Sequence, residues 1–230
     1  MTTEILARLG AVGFIPVITI HDAANAKPLG QALIDGGLPC VEITFRTSVA
    51  ADAMSILAAS FPQMLVGAGT VQSVVQAETA VSAGTRYIVT PGFDAAVVDW
   101  CLNSNTPVIP GVMTPTEVNM ALNKGLSLLK YFPAESAGGV RALQAISEPY
   151  VRVKFVPTGG ITQSNLVDYL RLPAVFACAG SWVAPDRMIA QAKFDRIRKL
   201  AAQAVELIKE ARASSGKGWT DDETSNRNSR

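Results

Sequence analysis

Eight short apolar runs, most of them followed by a stretch of helical period, set the strongest limit on what this chain can fold into. The runs fall at 14–20, 40–44, 64–68, 87–90, 107–110, 127–132, 153–158 and 175–180. Stretches at 24–35, 50–60, 74–83, 95–103, 116–123, 140–146 and 163–170 carry apolar residues at helical spacing. Gly36, Gly84 and Gly125 stand where three of these helices should end. Strand–helix alternation implies a parallel sheet with right-handed crossovers. About eight such units in a chain of 230 residues predict a (β/α)8 TIM barrel, α/β in class. The alternative is a doubly wound open sheet. That fold would place a Gly-rich dinucleotide turn after the first strand, where Ile20-His21-Asp22-Ala23 stands instead. Residues 186–213 read as one or two terminal helices. The polar, aperiodic residues 214–230 read as a disordered tail with Trp219 as its one large apolar side chain. The expectation is a single domain over 1–213 followed by that tail.

Charge and cysteine content narrow the function classes. Twenty basic and 19 acidic residues give a formal charge of +1, so no strong field marks a nucleic-acid or membrane surface. No run is long and apolar enough to span a bilayer. The stretch 9–20 followed by Ala24-Asn25-Ala26 has some look of a secretory leader. Glu4 spoils the basic flank, however, and Pro16 interrupts the apolar run, so the stretch reads better as the first strand of the repeat. Cys40, Cys101 and Cys178 are far apart and form no metal-type pair. Cys40 and Cys178 lie in apolar runs and read as reduced core thiols, which fits a cytoplasmic protein. One histidine, His21, excludes a multi-histidine metal site by counting.

Two charged residues interrupt the runs. Lys130 lies within Ser127-Leu128-Leu129-Lys130-Tyr131-Phe132-Pro133, and Glu42 within Cys40-Val41-Glu42-Ile43-Thr44. Lysine is almost never fully buried without a partner or a task. Burial disfavours the charged form of an amine, and a neutral amine attacks carbonyls to give Schiff bases. Successive strand side chains point to opposite faces. With Val41, Ile43, Leu129 and Tyr131 toward the helices, Glu42, Thr44, Leu128, Lys130 and Phe132 face inward. Both runs end within two residues of the charge, which puts Glu42 and Lys130 near the C-terminal ends, where barrel enzymes keep their active sites. A buried ion pair without catalysis is the plain structural alternative. Lys154 also lies in a strand-like run, but at its start, and reads as a solvated end residue.

The rims add binding groups. Arg46, just past the second run, can grip a carboxylate with two hydrogen bonds. Thr158-Gly159-Gly160-Ile161 and Ala179-Gly180-Ser181-Trp182 follow the last two runs. Glycines let backbone N–H groups approach an anion, helix starts add a favourable dipole, and the loops after strands seven and eight are a recurrent phosphate site in barrels.

The chain resembles the bacterial 2-keto-3-deoxy-6-phosphogluconate (KDPG) aldolase family, which includes 4-hydroxy-2-oxoglutarate aldolases. The resemblance is carried by Ile15-Pro16-Val17-Ile18, Val41-Glu42-Ile43-Thr44-Phe45-Arg46-Thr47, Val66-Gly67-Ala68-Gly69-Thr70-Val71, Thr90-Pro91-Gly92, Ile109-Pro110-Gly111, Lys130-Tyr131-Phe132-Pro133-Ala134-Glu135, Gly138-Gly139-Val140, Pro157-Thr158-Gly159-Gly160-Ile161 and Gly180-Ser181-Trp182. These segments run in order from about residue 10 to 205. The resemblance implies a class I lyase of Entner–Doudoroff type with no metal or cofactor, splitting a phosphorylated keto acid. Lys130 would form the Schiff base and Glu42 would shuttle protons. Arg46 and Thr70 would hold the carboxylate, and Pro91 and Phe132 would shape the pocket. Thr158, Gly159, Gly160, Gly180 and Ser181 would hold the phosphate. It also implies a homotrimer. The galactonate-type aldolases of the same chemistry typically carry an arginine just after the first apolar run. Ile18-Thr19-Ile20-His21 lacks one, which favours the gluconate-type substrate and leaves glyoxylate open as an acceptor. A phosphosugar epimerase or isomerase barrel and a non-catalytic phosphate-binding barrel are the other readings. The Lys–Glu–Arg set argues against both.

Overall fold

A computed structural model of the chain describes residues 2–214. The expected polar tail and Trp219 lie outside those residues, apart from Ser214, which closes the last helix. Nine short strands are present among the described residues. They are β1 (Phe14–Ile18), β2 (Cys40–Thr44), β3 (Leu65–Gly69), β4 (Tyr87–Val89), β5 (Val108–Ile109), β6 (Gly111–Val112), β7 (Leu128–Tyr131), β8 (Lys154–Pro157) and β9 (Cys178–Gly180). All their pairings are parallel. One sheet has the order β5-β4-β3-β2-β1-β9 and the other β6-β7-β8. Isolated parallel bridges, Phe155 to Val175 and Thr158 to Ala179, set β8 beside the β9 segment. Only Pro110 separates β5 from β6, because a proline has no N–H to give a ladder. The expected run 107–110 thus holds β5 alone, and a separate strand, β6, follows just past it and pairs with a different neighbour.

This order decides between the two sheet folds. A doubly wound sheet reverses direction at a switch point. Here strands five to one follow without reversal, and β1 lies next to the last strand. The result is a TIM-barrel-like α/β arrangement.

The helices are α1 (Thr2–Val12), α2 (Ala26–Asp35), α3 (Ala50–Ser60), α4 (Val74–Ser82), α5 (Ala95–Asn103), α6 (Pro115–Asn123), α7 (Gly139–Ser147), α8 (Leu166–Leu170), α9 (Asp186–Ala190) and α10 (Phe194–Ser214). Local signals set several of their starts. Ser73 and Asp94 accept hydrogen bonds from the N–H groups of Gln76 and Val97, and Thr114 forms a capping box with Glu117. Such caps are worth about 1 kcal/mol each. At the end of α2 the left-handed residue is Gly37 (φ 85°) rather than the expected Gly36.

Three corrections bear on the site. The stretch 9–20 is not one strand: Leu9–Val12 belongs to α1, and β1 stops at Ile18. The eighth run shortens to β9, with Val175 contributing only a bridge. The helix expected over 163–170 starts at Leu166.

Two apolar layers follow from the pleat. Outward residues such as Val41, Ile43, Val66, Ile88, Leu129 and Phe155 pack with the helices in one cluster. Inward residues Ile15, Cys40, Leu65, Tyr87, Val89, Ile109, Val156 and Ala179 form a second, which Ile5 and Leu9 of α1 join. Helix α1 therefore covers the floor of the strand array, and the other end is left for chemistry.

Candidate active site

Glu42 and Lys130, 88 residues apart, meet across the inner face. The Lys130 Nζ lies 3.4 Å from Glu42 Oε1, and the two residues are 5% and 1% exposed. Their outward neighbours Val41, Ile43, Leu129 and Tyr131 are all in the helix-facing layer, as strand alternation requires. The carboxylate has room because β3 presents a glycine beside it. A Cβ on Gly69 would fall 2.1 Å from Glu42 Oε1. Below the pair stands Tyr87, fully buried, its hydroxyl donating to the Val41 carbonyl at 3.0 Å. Burial first, then the nearby Cys40 and Glu42, hold its phenol far above the usual range. Thr44 and Thr19 continue the inner face upward, with hydroxyls 3.1 Å apart.

The rim gathers the other expected residues. Arg46 is exposed just past β2, and its loop is tied to the end of β3 by the Phe45 N–H on the Gly69 carbonyl at 2.9 Å. The next residue, Thr70, has φ 56°, a left-handed conformation that costs a threonine energy and is found where surroundings enforce it. The Thr90 hydroxyl donates to the Gly92 carbonyl at 2.6 Å and accepts from the Gly111 N–H at 3.3 Å, which fixes the turn carrying Pro91. The Phe132 ring lies under the amine, 5.2 Å from Nζ to its centroid. The same ring packs on Gly159, 3.3 Å from where a Cβ would sit.

That contact leads from the amine to the two glycine turns. Thr158 is buried at the top of β8, and Gly159 and Gly160 have φ of 94° and 81°, open without strain only to glycine. Gly180 backs onto the Ile161 carbonyl, so the turns after β8 and β9 adjoin, with Ser181 exposed between them and solvent. The expected helix dipoles are not at hand. α8 and α9 begin at Leu166 and Asp186 and have five residues each, so the turns offer backbone N–H groups rather than a helix N-terminus.

A buried amine and carboxylate meet on the inner face, with an exposed arginine just past β2 and a double glycine turn just past β8. Residues 5–200 match the KDPG and KHG aldolase family. The chain belongs to that family. A 2-dehydro-3-deoxy-phosphogluconate aldolase of Treponema pallidum is 44% identical over 204 residues, covering 89% of this chain and 97% of the relative. The KHG/KDPG aldolase of Escherichia coli K12 is 40% identical, covering 84% and 90%. Among solved structures, a crystal structure of KDPG aldolase from Legionella pneumophila, with pyruvate captured at low pH as a covalent carbinolamine intermediate, is 38% identical. It has a TM-score of 0.84 over 89% of this chain and 98% of that one.

Some residues of this aldolase-family site had no role in the sequence reading. Glu135 lies inside a quoted motif, yet its carboxylate meets the Tyr169 hydroxyl 34 residues away, and no local pattern encodes such a pair. Asn165, whose amide donates to the Gly160 carbonyl at 3.0 Å, was likewise hidden. Helix α1 did carry a signal, since Ile5, Leu6, Leu9 and Val12 recur at helical spacing. Among the described residues, no group of three or more His, Cys, Asp or Glu is gathered to hold a metal ion, and no helix is long and apolar enough to cross a membrane.

Proposed function

We propose that this chain is a class I aldolase that splits KDPG into pyruvate and glyceraldehyde 3-phosphate and accepts 4-hydroxy-2-oxoglutarate as a second substrate. The observation that carries the reading is the buried Lys130–Glu42 pair on the inner face of the strands. Lys130 Nζ attacks the C2 ketone, and the carbinolamine loses water to give an iminium. Glu42 supplies and removes the protons of that step. It then takes the proton of the C4 hydroxyl as the C3–C4 bond breaks. The bonding electrons flow into the iminium, the aldehyde leaves, and Glu42 returns the proton to C3 of the enamine. Water then releases pyruvate from the lysine. A desolvated acid–base group of this kind contributes about 10²–10⁴-fold.

Arg46 and the strained Thr70 hold the pyruvoyl carboxylate, and Pro91 and Phe132 flank the imine. Thr158, Gly159, Gly160, Gly180 and Ser181 hold the phosphate. The continuity of Lys130, Phe132 and Gly159 supports one substrate lying across all of them. The proposal includes a closed (β/α)8 barrel over 1–213. It is supported by the β8–β9 bridges on one side and the Pro110 junction on the other. It also includes a cytoplasmic homotrimer, which sedimentation velocity tests. The galactonate-type epimer is the alternative substrate, and comparison of the two phosphosugars separates them.

The direct test of the chemistry is pyruvate with borohydride, read by intact mass. A Schiff-base enzyme gains one reduced pyruvate, mapped to Lys130. A chain that binds pyruvate without gaining mass is not a class I aldolase.

A further inference from the structure

Glu135, in the loop after β7, is a carboxylate that the chemistry above does not use, yet it touches the turn after β8 at two points and helix α8 at a third. Its N–H donates to the Gly159 carbonyl at 3.1 Å. Its Cβ and Cγ press on Gly160, 2.5 and 2.6 Å from where a Cβ there would lie. Its carboxylate accepts from the Tyr169 hydroxyl at 2.5 Å. Tyr169 is fully buried in α8. Burial, and then the bond to Glu135, raise its phenol well above the usual range, so it stays a donor throughout neutral pH.

The geometry gives this contact a direction. The Gly159 carbonyl is held by Glu135 and the Gly160 carbonyl by the Asn165 amide. In a trans peptide the N–H points opposite to the C=O. Both carbonyls are therefore occupied, which fixes the two peptides and leaves the N–H groups of Gly160 and Ile161 directed away from those partners. The Glu135 carboxylate itself is turned toward the start of α7, its Oε1 3.2 Å from the Cβ position of Gly139. A loose carboxylate beside an anion site repels the anion, and the effect is strong where water is excluded.

We propose that Tyr169 and Glu135 are positioning residues for the phosphate of the substrate: the Tyr169 hydroxyl tethers the Glu135 carboxylate, which keeps its stem on Gly160 and its charge away from the bound phosphate. The inference rests on the reading of the glycine turns as the phosphate site. Tyr169→Phe keeps the ring and removes the tether. The KM for KDPG rises about ten- to thirtyfold, at the lower end of the range for losing one hydrogen bond to a charged group, while 4-hydroxy-2-oxoglutarate, which has no phosphate, shows a much smaller change. The double variant Tyr169→Phe/Glu135→Gln removes the charge as well and recovers most of the lost affinity for KDPG.

Steady-state kinetics on both substrates, with inorganic phosphate as inhibitor, is the test. In the wild-type enzyme, phosphate should compete against KDPG selectively. If it inhibits both substrates alike or neither, the phosphate reading of the turns falls and this inference falls with it. If phosphate competes as expected but Tyr169→Phe changes both substrates equally or neither, the inference alone is overturned. A loss specific to KDPG that Glu135→Gln does not rescue also overturns it, because the residue then only supports the fold.

Discussion

At the N-terminal ends of the strands, the inner face holds Ile15, Cys40, Leu65 and Tyr87 beneath Ile5 and Leu9 of α1. At the C-terminal ends the same face holds Thr19, Glu42, Thr44, Lys130 and Thr158. The change happens within single strands. On β2 the inward residues run Cys40, Glu42, Thr44, and on β7 they run Leu128, Lys130. One step of two residues carries each strand from packing to chemistry. Floor and mouth thus share a backbone but separate their tasks. Apolar contacts hold the strands in register, and the charged groups need not stabilise anything. A buried ion pair is a weak source of stability because desolvation offsets its attraction. Under the proposed mechanism the Lys130–Glu42 pair is retained for reactivity, and the floor supplies the rigidity that keeps it in place.

The largest expected effect breaks the comparison at its two lysines. Lys130→Ala should abolish turnover and the borohydride-trapped pyruvate adduct. Lys154 opens β8 at the floor end and donates to the Pro173 carbonyl at 3.0 Å. Lys154→Ala should leave both within a factor of about two. An adduct that maps to Lys154 would invert the assignment of mouth and floor.

Next comes Glu42→Gln, which keeps the shape and removes the proposed base. Turnover should drop about 10²–10⁴-fold, with the fold intact by circular dichroism. Exchange of the pyruvate methyl protons for deuterium should slow in parallel. Exchange at the wild-type rate would take the proton shuttle away from Glu42.

Much of this separation was legible in the residues alone. A charge inside an apolar run is visible without any structure, and a period of two assigns it to a face. Lys130 and Glu42 were therefore readable, and so was the succession of strands. Less local features were not. Leu9–Val12 runs into β1 with only Gly13 (φ 80°) between them, so helix and strand looked like one apolar stretch and the floor-covering helix was missed. The split at Pro110 depends on which neighbour each half pairs with. The Tyr169–Glu135 contact and the Asn165 amide join segments through the fold, and neither motif nor periodicity encodes them.

A finer test uses two glycines on β3 that share the inner face. A Cβ on Gly67 would fall 2.1 Å from the Tyr87 ring, and one on Gly69 would fall 2.1 Å from Glu42 Oε1. Tyr87 is locked by burial and its bond to Val41, so Gly67→Ala overpacks the floor and should cost about 1–3 kcal/mol of stability. Gly69→Ala instead pushes aside the end of a flexible side chain at the mouth. It should lower kcat roughly 10- to 100-fold, the scale of a misplaced reacting group, with a smaller loss of stability. Urea melts and kinetics on both variants read the split. If both changes act mainly on stability, β3 does not separate the two tasks.

The smallest effect returns to β2, where Cys40 sits two residues below Glu42 on the same face. Its thiol is buried, donates to the Phe14 carbonyl at 3.3 Å, and is pushed by burial from 9.0 to about 12. The folded state therefore keeps a proton that the unfolded chain releases above its ordinary thiol range. The stability tied to this group is fully present below that range and is lost as pH rises toward the folded value, at about 1.4 kcal/mol per pH unit. Cys101 and Cys178 are also shifted upward by burial, so the wild type alone would mix three thiols. The difference between wild type and Cys40→Ala cancels the other two. In urea melts from about pH 8 to about pH 10.5, that difference should hold steady at first and then shrink with the stated slope. A difference that stays flat across the range would mean that water reaches the floor at Cys40, and that α1 does not seal this end as tightly as its contacts imply.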